Sequence, residues 1–140
     1  MKIKKMINKS DFKEIFPLVL ELRPLLTEEK YFAMIDEAGQ RDNFEMVVIY
    51  KNDLPVGIMG YRILFDFVHG KHLYIDDLIV SPESRSKGIG AELLKYAECI
   101  ARDKGLEGLR LCTGIDNLLG KKFYEREGWS AKAIAFKKKI

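Results

Sequence analysis

Cysteine is scarce: Cys99 and Cys112 are the only two in 140 residues, and they stand in unrelated contexts, one helix-like and one strand-like. A disulfide-stapled fold is therefore not expected, a reducing, cytoplasmic compartment is, and Cys112 reads as a small buried apolar residue rather than a nucleophile. Long apolar runs are missing as well. The basic start Met1-Lys2-Ile3-Lys4-Lys5 is not followed by an apolar core of signal-peptide length, because Asp11, Lys13, Glu14 and Glu21 interrupt it, and no stretch approaches the length of a membrane span. No membrane partner is expected. Nor does one sign of charge dominate. The formal net charge is +3, and the lysines gather at the two ends, Lys2, Lys4, Lys5 and Lys9 and then Lys137, Lys138 and Lys139. That describes a solvated surface better than a nucleic-acid patch. Repeats, low-complexity tracts and shifts of composition are absent too, so residues 1–140 are expected to form a single domain with one core.

What is present concentrates first between residues 73 and 101. Leu73-Tyr74-Ile75-Asp76-Asp77-Leu78-Ile79-Val80 is strand-like, and Ile89, Leu93, Leu94, Ala97, Ile100 and Ala101 recur at helical spacing. Arg85-Ser86-Lys87-Gly88-Ile89-Gly90 forms the turn between them. Its glycines remove side chains where backbone turns sharply or approaches a ligand. The first amides of a helix have no partner within it, and the helix dipole favours an anion at that end. Arg85 and Lys87 add positive charge, so a phosphate or pyrophosphate is the expected guest. A nucleotide-triphosphate loop is excluded because Lys87 precedes its glycine, and a dinucleotide loop because Leu93 stands where a third glycine is needed.

A second constellation lies between Asn117 and Trp129. On a helix Asn117, Gly120 and Tyr124 stand at i, i+3 and i+7 and share one face, which carries an amide, a gap and a phenol. Gly120 gives up about 1 kcal/mol of helix propensity relative to alanine, which suggests that room is wanted there.

The rest of the chain reads as an α/β (α+β) domain. Lys2 to Ile7 alternates like an edge strand. Ser10 or Asp11 offers an N-cap to a helix with the stripe Phe12, Ile15, Phe16, Val19, Leu20 and Leu22, in which Pro17 predicts a kink or break. After the Arg23-Pro24 connector, Thr27 opens a second helix with Tyr31, Met34, Ile35 and Ala38 inside and Gly39 at its end. Residues 44–50 and 55–64 pair as a hairpin about Lys51-Asn52-Asp53, and a turn near Val68-His69-Gly70-Lys71 leads into the 73–80 strand, giving an antiparallel meander. The third helix runs to about Lys104 and Gly105, and 108–113 is a strand parallel to 73–80. A short helix, Asn117 to about Glu127, and a last strand, Ala131 to about Lys138, complete the chain. The predicted order is β-α-α-β-β-β-α-β-α-β, a mixed, mostly antiparallel sheet with helices on both faces.

The pattern Arg-x-x-Gly-x-Gly on a strand-to-helix turn, Arg85 to Gly90, resembles the acyl-CoA-binding loop of the GNAT acetyltransferase superfamily. Asn117 to Trp129 is similar to its second cofactor motif, Asn-x-x-Ala-x-x-x-Tyr-x-x-x-Gly-Phe. Gly120 and Trp129 depart from it but keep a close helix approach and a large apolar anchor. The element order is that of the GNAT fold, so the chain is identified as a small, single-domain, bacterial-type member. The resemblance implies an N-acetyltransferase that moves an acetyl group directly from acetyl-CoA to a primary amine of a small molecule or peptide, with no metal; a homodimer is common among small members. It implies that the backbone of Leu78, Ile79 and Val80 and the loop Arg85, Ser86, Lys87, Gly88, Ile89, Gly90 and Ala91 bind the cofactor. A backbone amide near Ile79 would polarise the acetyl carbonyl. Asn117 would bind the pantetheine arm or order the loop before its helix, with Gly120 leaving room, and Tyr124 would act as general acid for the departing thiolate.

The base stays open. Neighbours on a strand face opposite ways, so Asp76 and Asp77 meet one substrate only if the strand bulges. By resemblance to polyamine acetyltransferases the first acid, Asp76, is favoured as base, with Asp77, His72 or a relaying water as alternatives. Substrate contacts are expected from Arg23, Tyr31, Tyr61, Arg62, His69 and Tyr74, without fixing the substrate class. The rival from another class is an acyl-CoA-binding sensor that transfers nothing. A larger acyl donor such as succinyl-CoA is a third reading.

Overall fold

The computed structural model describes all 140 residues, which fall into two compact units, Met1–Arg110 and Leu111–Ile140. The first unit runs β1 (Lys2–Lys5), α1 (Lys9–Leu22), α2 (Glu28–Asp42), β2 (Glu45–Lys51), β3 (Leu54–Asp66), β4 (Gly70–Val80), a 3-10 turn at Pro82–Ser84, α3 (Ile89–Asp103) and β5 (Gly108–Leu111). The last residue of β5 begins the second unit, which contains α4 (Leu118–Arg126). The strands lie in the order β1-β2-β3-β4-β5, and β1 to β4 pair antiparallel.

Cross-strand partners share a face of a sheet, and successive residues alternate between faces. Val48 lies opposite Ile58, and Ile58 opposite Ile79. These three join Met6, Ile15, Leu18 and Val19 in the core that α1 and α2 cover. The opposite face belongs to α3. A side chain built on Gly57, one residue from Ile58, would meet Ile89 at 2.6 Å and Leu93 at 3.2 Å, so glycine is what lets α3 cross β3 closely. The inner stripe of α3 is Ile89, Leu93, Leu94, Ala97 and Ala101, all buried. Each fully buried aliphatic chain here, such as Ile15, Ile58 or Leu93, contributes about 1.5–3 kcal/mol.

Several local expectations change. The N-cap of α1 is Asn8, not Ser10 or Asp11: its side chain accepts the Asp11 N–H while the Asp11 carboxylate accepts the Asn8 N–H, a reciprocal capping box. The helix continues through Pro17, which is exposed together with Lys13, so water can take the carbonyl that loses its donor. Helix α2 passes Gly39 and ends at Asp42, with Asn43 in the left-handed conformation at φ 52°. Residues 131–138 form no strand: the alternation is present, but Ile134 and Phe136 are 71% and 93% exposed, and no neighbouring strand pairs with them. Cys112 is exposed, because β5 ends one residue before it.

Candidate active site

The centre of the site is an irregularity in β4. Ile75 pairs with Tyr61 and Asp77 with Gly60, so Asp76 is the extra residue of a β-bulge. The bulge brings two adjacent carboxylates to one side of the strand, and both line a cavity of about 360 Å³. Apolar side chains of α1, α2 and β2, among them Val19, Tyr31, Ile35 and Met46, form its wall, while Arg23, Asp42 and Arg62 add charge. Gly60, opposite the bulge, leaves space for the Phe44 ring that also lines the cavity; a β-carbon there would lie 2.6 Å from Cζ of that ring. The Tyr31 hydroxyl donates to the Phe12 carbonyl at 2.9 Å and is thereby committed to holding α2 on α1.

Arg62 clamps Asp76. Its Nε lies 3.1 and 3.0 Å from the two carboxylate oxygens, and its Nη2 lies 2.8 Å from Oδ1. Burial pushes the Asp76 carboxyl up from its ordinary range, the Arg62 guanidinium opposes that shift, and the negative charges of Asp77 and Asp42 reinforce it. Asp77 accepts a hydrogen bond from Arg23 Nη2 at 2.5 Å. The polar strip continues along the sheet. Arg62 and Arg110 both lie over the Tyr74 ring, at 5.5 and 4.5 Å from its centre. Arg110 Nε donates to His72 Nε2 at 3.0 Å, and His72 Nδ1 faces the Gly70 carbonyl at 2.9 Å. A carbonyl only accepts and a guanidinium only donates, so these partners fix the Nδ1–H tautomer and occupy the other lone pair. His72 is also 1% exposed.

Past the bulge, β4 leads directly into the loop. Hydrogen bonding from the Glu107 N–H to the Lys71 carbonyl at 2.9 Å sets β5 beside the start of β4. With four residues against eleven, β5 leaves the outer edge of β4 uncovered towards Leu78, Ile79 and Val80. Ser86 and Gly88 adopt positive φ, 62° and 81°, and Gly88 is the N-cap of α3 with no side-chain cap. The first helical bond runs from the Glu92 N–H to the Gly88 carbonyl, so the amides of Ile89, Gly90 and Ala91 project from the helix end without an intrahelical acceptor. Arg85 Nε approaches the Val80 carbonyl at 3.4 Å and ties the loop back to the strand. An uncapped helix end bearing glycines and preceded by Arg85 and Lys87 fits a diphosphate.

In the second unit Asn117 is the N-cap of α4. Its oxygen accepts the Gly120 N–H at 3.0 Å, and its Nδ2 donates to Thr113 Oγ1 at 2.9 Å. The gap expected at Gly120 is filled by this cap: a β-carbon there would stand 2.7 Å from Asn117 Cγ. The Tyr124 ring lies 5.1 Å from Phe123 and 6.2 Å from Trp129, and burial pushes its phenol up from the usual value.

Sequence reasoning passed over Asp42 and Arg110. Nothing local distinguishes Asp42 from other polar residues at a helix end. Arg110 carried a signal, a charged residue between Leu109 and Leu111 in a strand.

The fold and the loop together define an acyl-CoA-type transferase. Residues 10–129 match the acetyltransferase (GNAT) family. The chain is 29% identical over 139 residues to YhdJ of Bacillus subtilis, an uncharacterized N-acetyltransferase, across 99% of this chain and 98% of that one. It is 31% identical over 134 residues to the aminoalkylphosphonate N-acetyltransferase of Salmonella typhimurium, across 93% of this chain and 86% of the other. The solved structure of aminoglycoside N-acetyltransferase AAC(6')-Iy in complex with CoA shares the fold, with a TM-score of 0.85 at 20% identity over 99% of this chain and 93% of that one. The chain belongs to the GNAT acetyltransferase family, and it is an acetyl-CoA-dependent acyltransferase. No helix is long and apolar enough to cross a membrane.

Proposed function

We propose that this protein transfers an acetyl group from acetyl-CoA directly to the primary amine of a small molecule bound in the cavity beside Asp76 and Asp77. One observation carries the reading: a single strand, β4, presents paired carboxylates to an apolar cavity at its bulge and leads, through the loop at residues 81–87, to an uncapped, glycine-bearing helix start. The names of the Salmonella and Bacillus relatives support N-acetyl transfer, and the aminoglycoside enzyme was solved with CoA. The family match crosses from the first unit into the second, which supports one functional domain.

Acetyl-CoA supplies an activated thioester. The amides of residues 86–91 receive its diphosphate, and the open edge of β4 at Leu78, Ile79 and Val80 offers peptide groups to the pantetheine arm, with an amide near Ile79 donating to the acetyl oxygen. The carboxylate pair attracts the ammonium and accepts the proton it must lose, directly or through water. Asp76 is the expected base. Its raised carboxyl favours that role, while the Arg62 clamp limits its reach. His72 is the weaker alternative, since both its nitrogens are engaged. Asn117 orders the 113–117 turn through its bond to Thr113 and caps α4 through its bond from Gly120. Tyr124, kept protonated by burial, gives its proton to the leaving thiolate.

The test is release of free thiol from acetyl-CoA across a panel of primary amines, alongside calorimetric CoA binding. Turnover on at least one amine, lowered far more than CoA affinity by Tyr124→Phe, is the expected result. Tight CoA binding with no release on any amine would replace this reading with that of an acyl-CoA sensor.

A further inference from the structure

The two carboxylates of the bulge are not equivalent. Both oxygens of Asp76 are held by Arg62, which is itself three-quarters buried, leans over Tyr74 and reaches Asp42 at 3.6 Å. That pair belongs to the wall. Asp77 is 18% exposed and meets Arg23, whose side chain is 48% exposed and comes from the connector between α1 and α2. An ion pair with one partner so open to water contributes little and exchanges readily.

The cavity thus offers in Arg23–Asp77 a replaceable pair, a carboxylate touching a guanidinium that is not tied to a second carboxylate as Arg62 is, both lining the same space. A simple amine entering it trades one ion pair for another, because its ammonium displaces Arg23 from Asp77. A molecule with both an ammonium and an acid group makes two pairs for the one it breaks: its ammonium meets Asp77 and its acid group meets the freed Arg23. Charge-assisted bonds of that kind are the strong ones, and the planar guanidinium suits an oxyacid. We propose that the acceptor is a short aminoalkyl acid that inserts into the Arg23–Asp77 ion pair. Its two charged groups are separated by a short skeleton because the side chains they pair with, Arg23 and Asp77, touch before it enters. Val19, Leu26 and Ile35 supply apolar wall for its methylenes. This inference rests on the reading of the cavity as the acceptor site.

Calorimetry on the full chain tests it, with 3-aminopropanoate and 2-aminoethylphosphonate as probes against propylamine and propanoate. The aminoalkyl acids are expected to bind at least about 10-fold tighter than either single-charge compound. Arg23→Gln should reduce the preference for 3-aminopropanoate over propylamine by about 10- to 100-fold, and Arg23→Lys should restore part of it. Asp77→Asn should weaken every amine-bearing probe. Thermal unfolding of each variant checks that it is folded. Propylamine binding as tightly as 3-aminopropanoate, a preference that survives Arg23→Gln, or no binding of any probe would each overturn the proposal. Thiol-release assays run in parallel separate the two readings. Preferential binding of the aminoalkyl acids with acetylation only of other amines overturns their role as acceptors and leaves the transferase reading standing. No thiol release on any amine removes that reading as well, and acetylation of propylamine in preference to 3-aminopropanoate overturns the proposal alone.

Discussion

Asp11 shows how much one residue can carry. Its carboxylate accepts the backbone N–H groups of Ile7 and Asn8 at 3.0 and 3.3 Å and lies 3.3 Å from Lys4 Nζ, so it closes the capping box and ties β1 to α1. The Ile7 and Asn8 amides, followed by Lys4, hold its carboxyl below the usual range near pH 4. A carboxyl lowered by folding stabilises the native state fully above the unfolded-state value, and that stabilisation is lost as pH falls through the folded value. Urea midpoints measured from pH 7 to pH 2.5 should therefore show Asp11→Asn less stable than the parent by a constant margin above about pH 4, with the two curves converging in more acid solution. Parallel curves down to pH 2.5 would show that the charge on Asp11 contributes nothing. The same residue marks where local sequence misleads: Asp11 is a good N-cap type, but Asn8 three residues earlier takes the position because the pair can satisfy each other.

At the scale of elements, the N-terminus of α3 separates what helps the helix from what helps its guest. Gly90 sits in the first turn, where a negative charge interacts favourably with the helix dipole, by about 0.3–1 kcal/mol. Replacing glycine inside a helix also recovers some propensity. Gly90→Asp is therefore expected to leave stability to heat unchanged or slightly raised. Towards a diphosphate the same carboxylate is repulsive, so CoA affinity measured by calorimetry should fall by more than about 100-fold, equivalent to about 2.7 kcal/mol. Opposite signs in the two measurements are the signature of an anion cradle. If both fell together, the substitution would simply have damaged the helix. The loop and helix were legible in sequence because glycines, basic residues and apolar period all lie within one segment. The β4 bulge was not, because Asp76-Asp77 in sequence is compatible with either a regular or an irregular strand. The choice is made by β3, where Gly60 and Tyr61 take Asp77 and Ile75 as partners.

Across the whole molecule, the same distinction between local and distant information explains what was read and what was not. Helical stripes and strand alternation placed the elements from β1 to α4. The GNAT resemblance rested on Arg85 to Gly90 and Asn117 to Trp129, both short enough to be read without a partner. The arginine clamps on Asp76 and Asp77 come from residues 14 and 54 positions away, a separation that no local spacing encodes. The last expected strand fails for the converse reason. Ala131 to Phe136 alternates as strands do, but alternation specifies only which face would be buried and cannot supply the neighbour whose hydrogen bonds make a strand. Hydrogen exchange reads that difference directly, because protection depends on backbone pairing and burial rather than on composition. Amides of Val47 to Ile49 in β2, Ile58 and Met59 in β3 and Leu73 in β4 lie in strands flanked on both sides and are buried, so they should exchange only through opening close to the full unfolding free energy. Those of residues 131–140, exposed throughout and outside any strand, should exchange at nearly the rate of an unstructured peptide. Slow exchange confined to alternate residues of 131–138 would instead mean that the segment has found an edge to pair with, and that its sequence pattern was the better guide.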